Sequence, residues 1–575
     1  VRKEIVIVGA VAAGPKAACR LKRLQPDWNI TLVDQDNLIF YGGCGIPYYV
    51  GGDVSDESEL RATSFHVIRN EKFFEGAKGL NVLTRTRATR IDREQKVVHV
   101  ENLDSGAARE LPYDKLILAT GAKPFALPIP GAELDGVFTI ANLHKAIEIK
   151  KRIAQGKVSK AVVIGGGAIG IEMAEAFKDL WGVETSLIEL VPQLLNRVVD
   201  WSLAGMLKQH LIENGVDVYT GELATEILGN ADGQVTGVKT EKRVLEADLV
   251  IVAVGVRPRS ELAKDAGLDV AASGGIKVNQ RMQTSDPDIY AAGDCITNTS
   301  IVTGKEIYTP LGSLANREGR AVADNIAGIP TQFKGVCGSF IMKAFGRCIA
   351  ATGLSYESAL AEGFDADYAI TAPPDRAHFF PNQAVVILQM VFDKRTRRVL
   401  GVQGFGMMND SLSARINTAA ALIAHGATIE DFSNVEMAYA PPFSSAIDSI
   451  NAVAYVAENL CDGRFRQLDL DRFFSWMDDM ESHPDWAVLD IRHPKEAQPY
   501  VEKYSPEKWV AINYEEIRQR YNEVPDDKCL IILCNAGTRS YEVQVFLDHV
   551  GKTNNYVLGG GTNVFSRLDV DWYLQ

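Results

Sequence analysis

The feature that most constrains the fold is a repeat. EIVIVGAVAAGPKAACRLKRL (4–24) reads as an apolar strand, a glycine-rich turn and a basic amphipathic helix, and KAVVIGGGAIGIEMAEAFKDL (160–180) reads the same way. Each is followed by a second strand closed by an acid, Asp34 in ITLVDQD and Glu189 in TSLIEL. The acids stand 25 residues after Gly9 and 24 after Gly165, close to the offset at which a carboxylate meets the ribose hydroxyls of a dinucleotide. One G-x-G-x-x-G is weak; two such βαβ units, each with its acid, are strong. The second matches in full at Gly165, Gly167 and Gly170. Its glycines allow the tight turn and close backbone approach, and the pyrophosphate then sits on the helix N-terminus. The first keeps Gly9 and Gly14 but has Val11 in the middle, which should push the phosphates outward or require a bridging water.

A chain of 575 residues is too long for one core and should hold about three or four domains. Its net charge of −14, with no basic run, argues against nucleic acid as a partner. No apolar run reaches the ~18 residues of a membrane span, and the first residues enter a strand directly, without signal-peptide pattern. Eight cysteines without regular spacing fit a reduced, cytoplasmic protein. No Cys/His cluster has zinc spacing, so no metal site is expected.

Two further apolar strands tie the repeats together, DKLILATGAKP (114–124) and DLVIVAVGVRP (248–258), and TSDPDIYAAGDC (284–295) ends a strand on Gly293-Asp294. With these motifs the chain resembles the two-dinucleotide-binding flavoprotein reductases, the pyridine nucleotide-disulfide oxidoreductases. The resemblance implies FAD on the first unit, with Thr120, Gly121 and Asp294 as further contacts, and NADH on the second, with Glu172 toward the nicotinamide end. Glu189 is followed by Leu190 and Val191, and a carboxylate at the ribose repels a 2′-phosphate, so NADH is expected over NADPH. From about 333 the pattern changes to strands and then helices, like the family's α+β interface domain, which implies a homodimer. The expected fold class is α/β: an FAD domain at 1–120 and 250–332, an NADH domain at 121–249, a dimerisation domain at 333–460 and a C-terminal α/β domain at 461–575.

In that last segment, CNAGTRS (534–540) follows the apolar CLIIL and precedes a helical stretch. Backbone N–H groups of such a loop, a helix N-terminus and Arg539 can stabilise a thiolate at Cys534. The loop resembles rhodanese, in which this cysteine carries a persulfide, and Asp490 and Arg492 in VLDIRHPKEA match that family's upstream signature. A loop one residue longer would suit phosphate instead.

YGGCGIPYYVGG (41–52) holds a single cysteine, Cys44; position 49, where a second would stand in glutathione reductase-like members, is Tyr. The resemblance therefore points to the single-cysteine members. Three chemistries remain: a thiol–sulfenic acid cycle in an oxidase or peroxidase, a mixed disulfide with coenzyme A, or removal of the outer sulfur of a persulfide. Peroxidase-type relatives place a histidine in the first glycine loop, where this chain has Ala12. The YAPPFS motif (439–444) is shared with coenzyme A disulfide reductases, in which its tyrosine, here Tyr439, reaches the other subunit's cysteine and can protonate a leaving thiolate. The same resemblance assigns Arg20, Arg23, Lys72, Asn316 and Arg317 to coenzyme A, against the plainer reading of a solvated basic face. Phe379-Phe380-Pro381 replaces a Tyr-Tyr-Pro of relatives, and Gly43 replaces Asn. The joined halves resemble coenzyme A disulfide reductase–rhodanese fusions. They imply reduction of a persulfide or polysulfide to sulfide, with coenzyme A as the carrier thiol. The alternatives are a coenzyme A disulfide reductase, an NADH oxidase, and a rhodanese kept as a non-catalytic sulfur carrier.

Overall fold

The computed structural model describes residues 2–140 and 142–568, apart from the side chain of Asp410. They form two compact units, residues 1–190 with 215–336, and 191–214 with 337–575.

The first unit contains the duplication that the glycine loops announce. One five-stranded sheet runs Ile289–Ala291, Lys115–Leu118, Glu4–Val8, Asn29–Val33, Asn81–Leu83, all parallel. The other runs Val216–Thr220, Glu184–Glu189, Lys160–Ile164, Leu249–Val252, Val137–Thr139, again all parallel. Their central strands, EIVIV, KLIL, KAVVI and LVIV, read as unbroken apolar runs because parallel strands are covered on both faces, and nearly all of these residues are buried. Each sheet is accompanied by a three-stranded antiparallel sheet, Thr86–Asp92 with Val97–Asn102 and Ala108–Pro112, and Ala224–Gly229 with Val235–Thr240 and Val244–Glu246.

The second unit combines two sheets of different kind. The antiparallel sheet has the order Phe340–Ala344, Arg347–Gly353, Val399–Met407, Ile387–Asp393, Ala366–Thr371. The parallel sheet has the order Gln467–Leu468, Asn555–Leu558, Cys529–Leu533, Trp486–Asp490, Trp509–Ala511. The helix Trp201–Glu213 belongs to this unit although its sequence neighbours belong to the first. Buried Asp200 fixes it: its carboxylate accepts Gln389 Nε2 at 2.7 Å and the amide of Tyr356 at 3.0 Å, with Gln403 as a third donor. Burial pushes that carboxyl up to about 6, against those donors. Among the described residues no helix is long and apolar enough to cross a membrane.

Candidate functional site

The two glycine loops are built alike down to the atoms that forbid a side chain. Gly9 takes a φ of 111°, and a Cβ there would lie 2.0 Å from the Ala119 carbonyl oxygen. Gly165 takes 118°, with the Ala253 oxygen 2.4 Å away. Both positions need φ > 0 and direct contact with the neighbouring strand, so only glycine serves. Gly14 and Gly170 each bring their helix so close that a Cβ would sit 1.9 Å from the carbonyl of Gly9 and of Gly165. Gly167 differs: a Cβ there would meet nothing within 4 Å, leaving space in front of the helix Ala168–Lys178 for a phosphate to approach the backbone. Val11 occupies the equivalent place in the first loop.

The acids also behave alike. Asp34 accepts the amide of Ala10 at 2.7 Å, and Glu189 that of Gly166 at 2.6 Å. Burial raises the Asp34 carboxyl, with the amides of Asp36 and Ala10 pulling the other way. A cavity of about 410 Å³ opens beside Asp34, lined among others by Gly9, Arg87, Thr120, Arg259 and Glu261. Thr120 donates its hydroxyl to the Arg259 carbonyl at 2.5 Å, and Gly121 accepts the Arg259 amide at 2.9 Å. The strand Ile289–Ala291 leads to Asp294, whose carboxyl burial pushes up. This cavity and the glycine cradles fit a dinucleotide such as FAD, and the open ground at Gly167 fits a second one.

Cys44 sits in the short turn Gly43–Gly45 that opens the helix Ile46–Gly51. A Cβ on Gly312 would lie 3.3 Å from its sulfur, so the thiol faces the first residue of the helix Gly312–Ile326. Cys44 is exposed as a residue. Burial nevertheless pushes it up first, then the carboxylates of Glu172 and Asp294, while the amides of Gly312 and Cys44 itself oppose them. Glu172 accepts a hydrogen bond from the Tyr48 hydroxyl at 3.4 Å.

The five residues assigned to coenzyme A all lie in the first unit. The helices Ala13–Leu24 and Gly312–Ile326 pack directly, since a Cβ on Gly319 would be 2.5 Å from the Ala13 carbonyl. Arg23, Asn316 and Lys72 are exposed. Arg317 lies over the Phe333 ring at 5.2 Å, and Asn316 donates to the Gly312 carbonyl at 2.9 Å. Arg20 is already committed: its Nε pairs with buried Asp324 at 2.7 Å.

In the second unit Tyr439 is 51% exposed, in a loop tied down by the Ala377 amide to the Pro441 carbonyl and by Ser445 Oγ to the Arg376 carbonyl at 3.1 Å. Cys534 follows the strand Cys529–Leu533 and is only 1% exposed. Its sulfur accepts the amide of Gly537 at 3.1 Å, where Gly537 caps the helix Thr538–His549. Arg539 bonds Asn535 and faces the Tyr514 ring. Asp490 and Arg492 form a buried pair, and Asp490 also accepts Trp509 Nε1 at 3.0 Å. That signature is thus a staple inside the domain, joining two adjacent strands.

Two residues near the first site escaped the sequence reading. Glu318 is 1% exposed and accepts the Gly293 amide at 2.7 Å and Asn298 Nδ2 at 3.1 Å, which fixes the turn that presents Asp294. Its signal was a carboxylate on the apolar stripe of Leu314, Ala315 and Val322. Tyr48, on the helix Ile46–Gly51, is the other, through its hydroxyl on Glu172.

A profile of the pyridine nucleotide-disulphide oxidoreductases matches residues 3–311, and a profile of that family's dimerisation domain matches residues 344–450. The chain belongs to this family, whose members use FAD and NAD(P)H. It is 34% identical over 455 residues, 79% of this chain and 98% of the other, to the NAD(P)H coenzyme A polysulfide/persulfide reductase of Pyrococcus horikoshii. Among solved structures it is similar to a NAD-dependent persulfide reductase from A. fulgidus, with a TM-score of 0.91, 37% identity and coverage of 98% and 99% of the two chains. It is also similar to the reduced CoADR-RHD of Bacillus anthracis, with a TM-score of 0.90, 31% identity and coverage of 99% and 98%.

Proposed function

We propose that this protein is a FAD-dependent NADH:persulfide reductase that releases hydrogen sulfide from a low-molecular-weight persulfide or polysulfide, with coenzyme A as the carrier thiol. The observation that carries this reading is a pair of differently built thiols in one chain. Cys44 is an exposed residue of the unit that holds both nucleotide loops, and Cys534 is enclosed in a loop whose Gly537 amide donates to its sulfur.

The Cys44 thiolate attacks the sulfane sulfur of R–S–SH, the S–S bond breaks and R–SH leaves. Tyr439, reaching the cysteine of a second subunit, protonates the departing thiolate. When bound, FAD supplies the two-electron link between NADH and the sulfur left on Cys44. Gly9, Gly14, Asp34, Thr120, Gly121 and Asp294 hold it, and Gly165, Gly167, Gly170, Glu172 and Glu189 hold NADH. Arg20, Arg23, Lys72, Asn316 and Arg317 meet the phosphates of coenzyme A, with Arg20 the weakest contributor because Asp324 neutralises it. Residues 461–575 form a rhodanese domain in which Cys534 and Arg539 load sulfur onto the carrier. Residues 1–120 with 250–332, 121–249 and 333–460 are the FAD, NADH and dimerisation domains, and the enzyme works as a homodimer. All eight cysteines are free thiols, in keeping with a reducing cytoplasm.

A second reading, reduction of coenzyme A disulfide, is favoured by Cys44 being an exposed residue, as formation of a mixed disulfide with a bulky thiol requires. Anaerobic NADH oxidation with sulfide detection separates the two. Fast sulfide release from coenzyme A persulfide with slow turnover of coenzyme A disulfide supports the persulfide reductase; the reverse replaces it with the disulfide reductase.

A further inference from the structure

In the second unit the two sheets meet edge to edge, and the Cys534 loop stands beside the seam. Ala366–Thr371 is the last strand of the antiparallel sheet, and Gln467–Leu468 is the last strand of the parallel one. An edge strand presents backbone groups that no neighbouring strand takes up. Here the Gln467 amide takes up two: Nε2 donates to the Tyr368 carbonyl at 3.0 Å, and Oε1 accepts the Ile370 amide at 3.4 Å. Buried glycines continue the seam. A Cβ on Gly559 would lie 2.7 Å from Ile370 Cγ2, and one on Gly560 would lie 3.8 Å from the Cβ of Ala372. Asn563 completes it by donating Nδ2 to the Ala372 carbonyl at 3.3 Å.

The same segment grips the Cys534 loop. The amides of Thr562 and Asn563 donate to the carbonyls of Cys534 and Asn535 at 2.9 Å each. In a planar trans peptide the N–H points opposite to the C=O, so pinning these two carbonyls also sets the directions of the Asn535 and Ala536 amides. The loop is thus oriented from outside itself, and the anchor is Ala372, within residues 344–450 that match the dimerisation profile. We propose that Asn563 is a positioning residue for Cys534: held on the Ala372 carbonyl, it fixes the amide directions with which the loop stabilises a sulfur anion. The carrier site is then completed by the neighbouring antiparallel sheet.

The inference rests on Cys534 carrying sulfur. In that step the Cys534 thiolate attacks the outer sulfur of thiosulfate, the donor S–S bond breaks, and sulfite leaves with its electron pair. Cys534–S⁻ and S₂O₃²⁻ become Cys534–S–S⁻ and SO₃²⁻, and the persulfide anion is the charge that the loop amides meet.

The full-length holoenzyme and its variants are assayed for sulfur transfer from thiosulfate to cyanide, with persulfide reduction at Cys44 as the reference activity. Asn563→Ala should lower kcat about tenfold, on the scale where a displacement of ~1 Å costs up to about a hundredfold. The KM for thiosulfate should stay within about twofold, because the lost alignment serves the anion formed in the step and not the docking of the donor. Asn563→Asp keeps the size but turns an oxygen toward the Ala372 carbonyl, so it should be at least as slow as Asn563→Ala. A space-filling role predicts wild-type transfer in Asn563→Asp, and that result overturns the proposal. Gln467→Leu opens the seam without altering Asn563 and carries the test by itself if Asn563→Ala does not fold; its kcat should fall about threefold or more. Unchanged kcat in Gln467→Leu or in folded Asn563→Ala overturns the proposal, as does an equal fall in both activities. Transfer that survives in Cys534→Ser would refute the carrier reading instead.

Discussion

Cys44 and Cys534 both stand at the start of a helix, and they are built in opposite ways. Cys44 is an exposed residue whose thiol has the amides of Gly312 and of Cys44 itself set against burial and two carboxylates. Cys534 is buried and receives the Gly537 amide from its own loop. That loop is held from outside as well, by the amides of Thr562 and Asn563 on the carbonyls of Cys534 and Asn535 at 2.9 Å each. The contrast separates two demands on a thiol. A nucleophile that receives a bulky substrate needs access and control of its proton; a sulfur carrier needs a rigid shell of amide donors that stabilises charge whatever the solvent does.

The largest effects should come from removing each sulfur. Cys44→Ser should lower NADH-linked sulfide release on the order of a thousandfold or more, as removal of a nucleophile does, while sulfur transfer from thiosulfate continues. Cys534→Ser should do the reverse and leave reduction of a presented small persulfide within about twofold of wild type, the spread expected for a residue outside the reacting centre. Loss of both activities in either variant would merge the two sites into one. Next in size is the staple beneath Cys534. Asp490→Ala leaves the Arg492 guanidinium buried without its partner, and breaking a buried pair costs about 3–5 kcal/mol. Thermal unfolding of the C-terminal half should move down accordingly; an unchanged transition would mean that Arg492 finds another acceptor.

Much of this was legible in the chain because backbone geometry wrote it there. Gly9, Gly14, Gly165 and Gly170 stand where a Cβ would collide with a carbonyl, so their spacing predicts the strand–turn–helix units closely. Asp34 and Glu189 end strands and could be placed by counting. The helix Trp201–Glu213 could not: it leaves the sheet that its neighbours belong to because Asp200 finds Gln389 and Gln403 far along the chain. Glu318 and Tyr48 were hidden for a related reason. A helix pattern tells which face is buried, but not that a carboxylate or a phenol on it will meet a lone amide or acid from another segment.

The smallest effects sharpen the comparison most, because they probe shape without touching sulfur. Gly561 has a φ of 57°, and a Cβ there would lie 2.2 Å from the Cys534 carbonyl oxygen. Gly561→Ala must therefore displace the loop or strain the backbone, at about 1–3 kcal/mol, and sulfur transfer should fall while persulfide reduction persists. Gly43, next to Cys44, has no positive φ, and its nearest neighbour would be the Tyr41 ring at 3.9 Å. Gly43→Ala should change stability by no more than about 0.5 kcal/mol, the range of substitutions away from packed features, and leave FAD content intact. Denaturant midpoints of the two variants, read beside their two activities, make the test. Equal penalties would mean that the Cys44 turn is as tightly enclosed as the Cys534 loop, and the division between an open nucleophile and a caged carrier would fall.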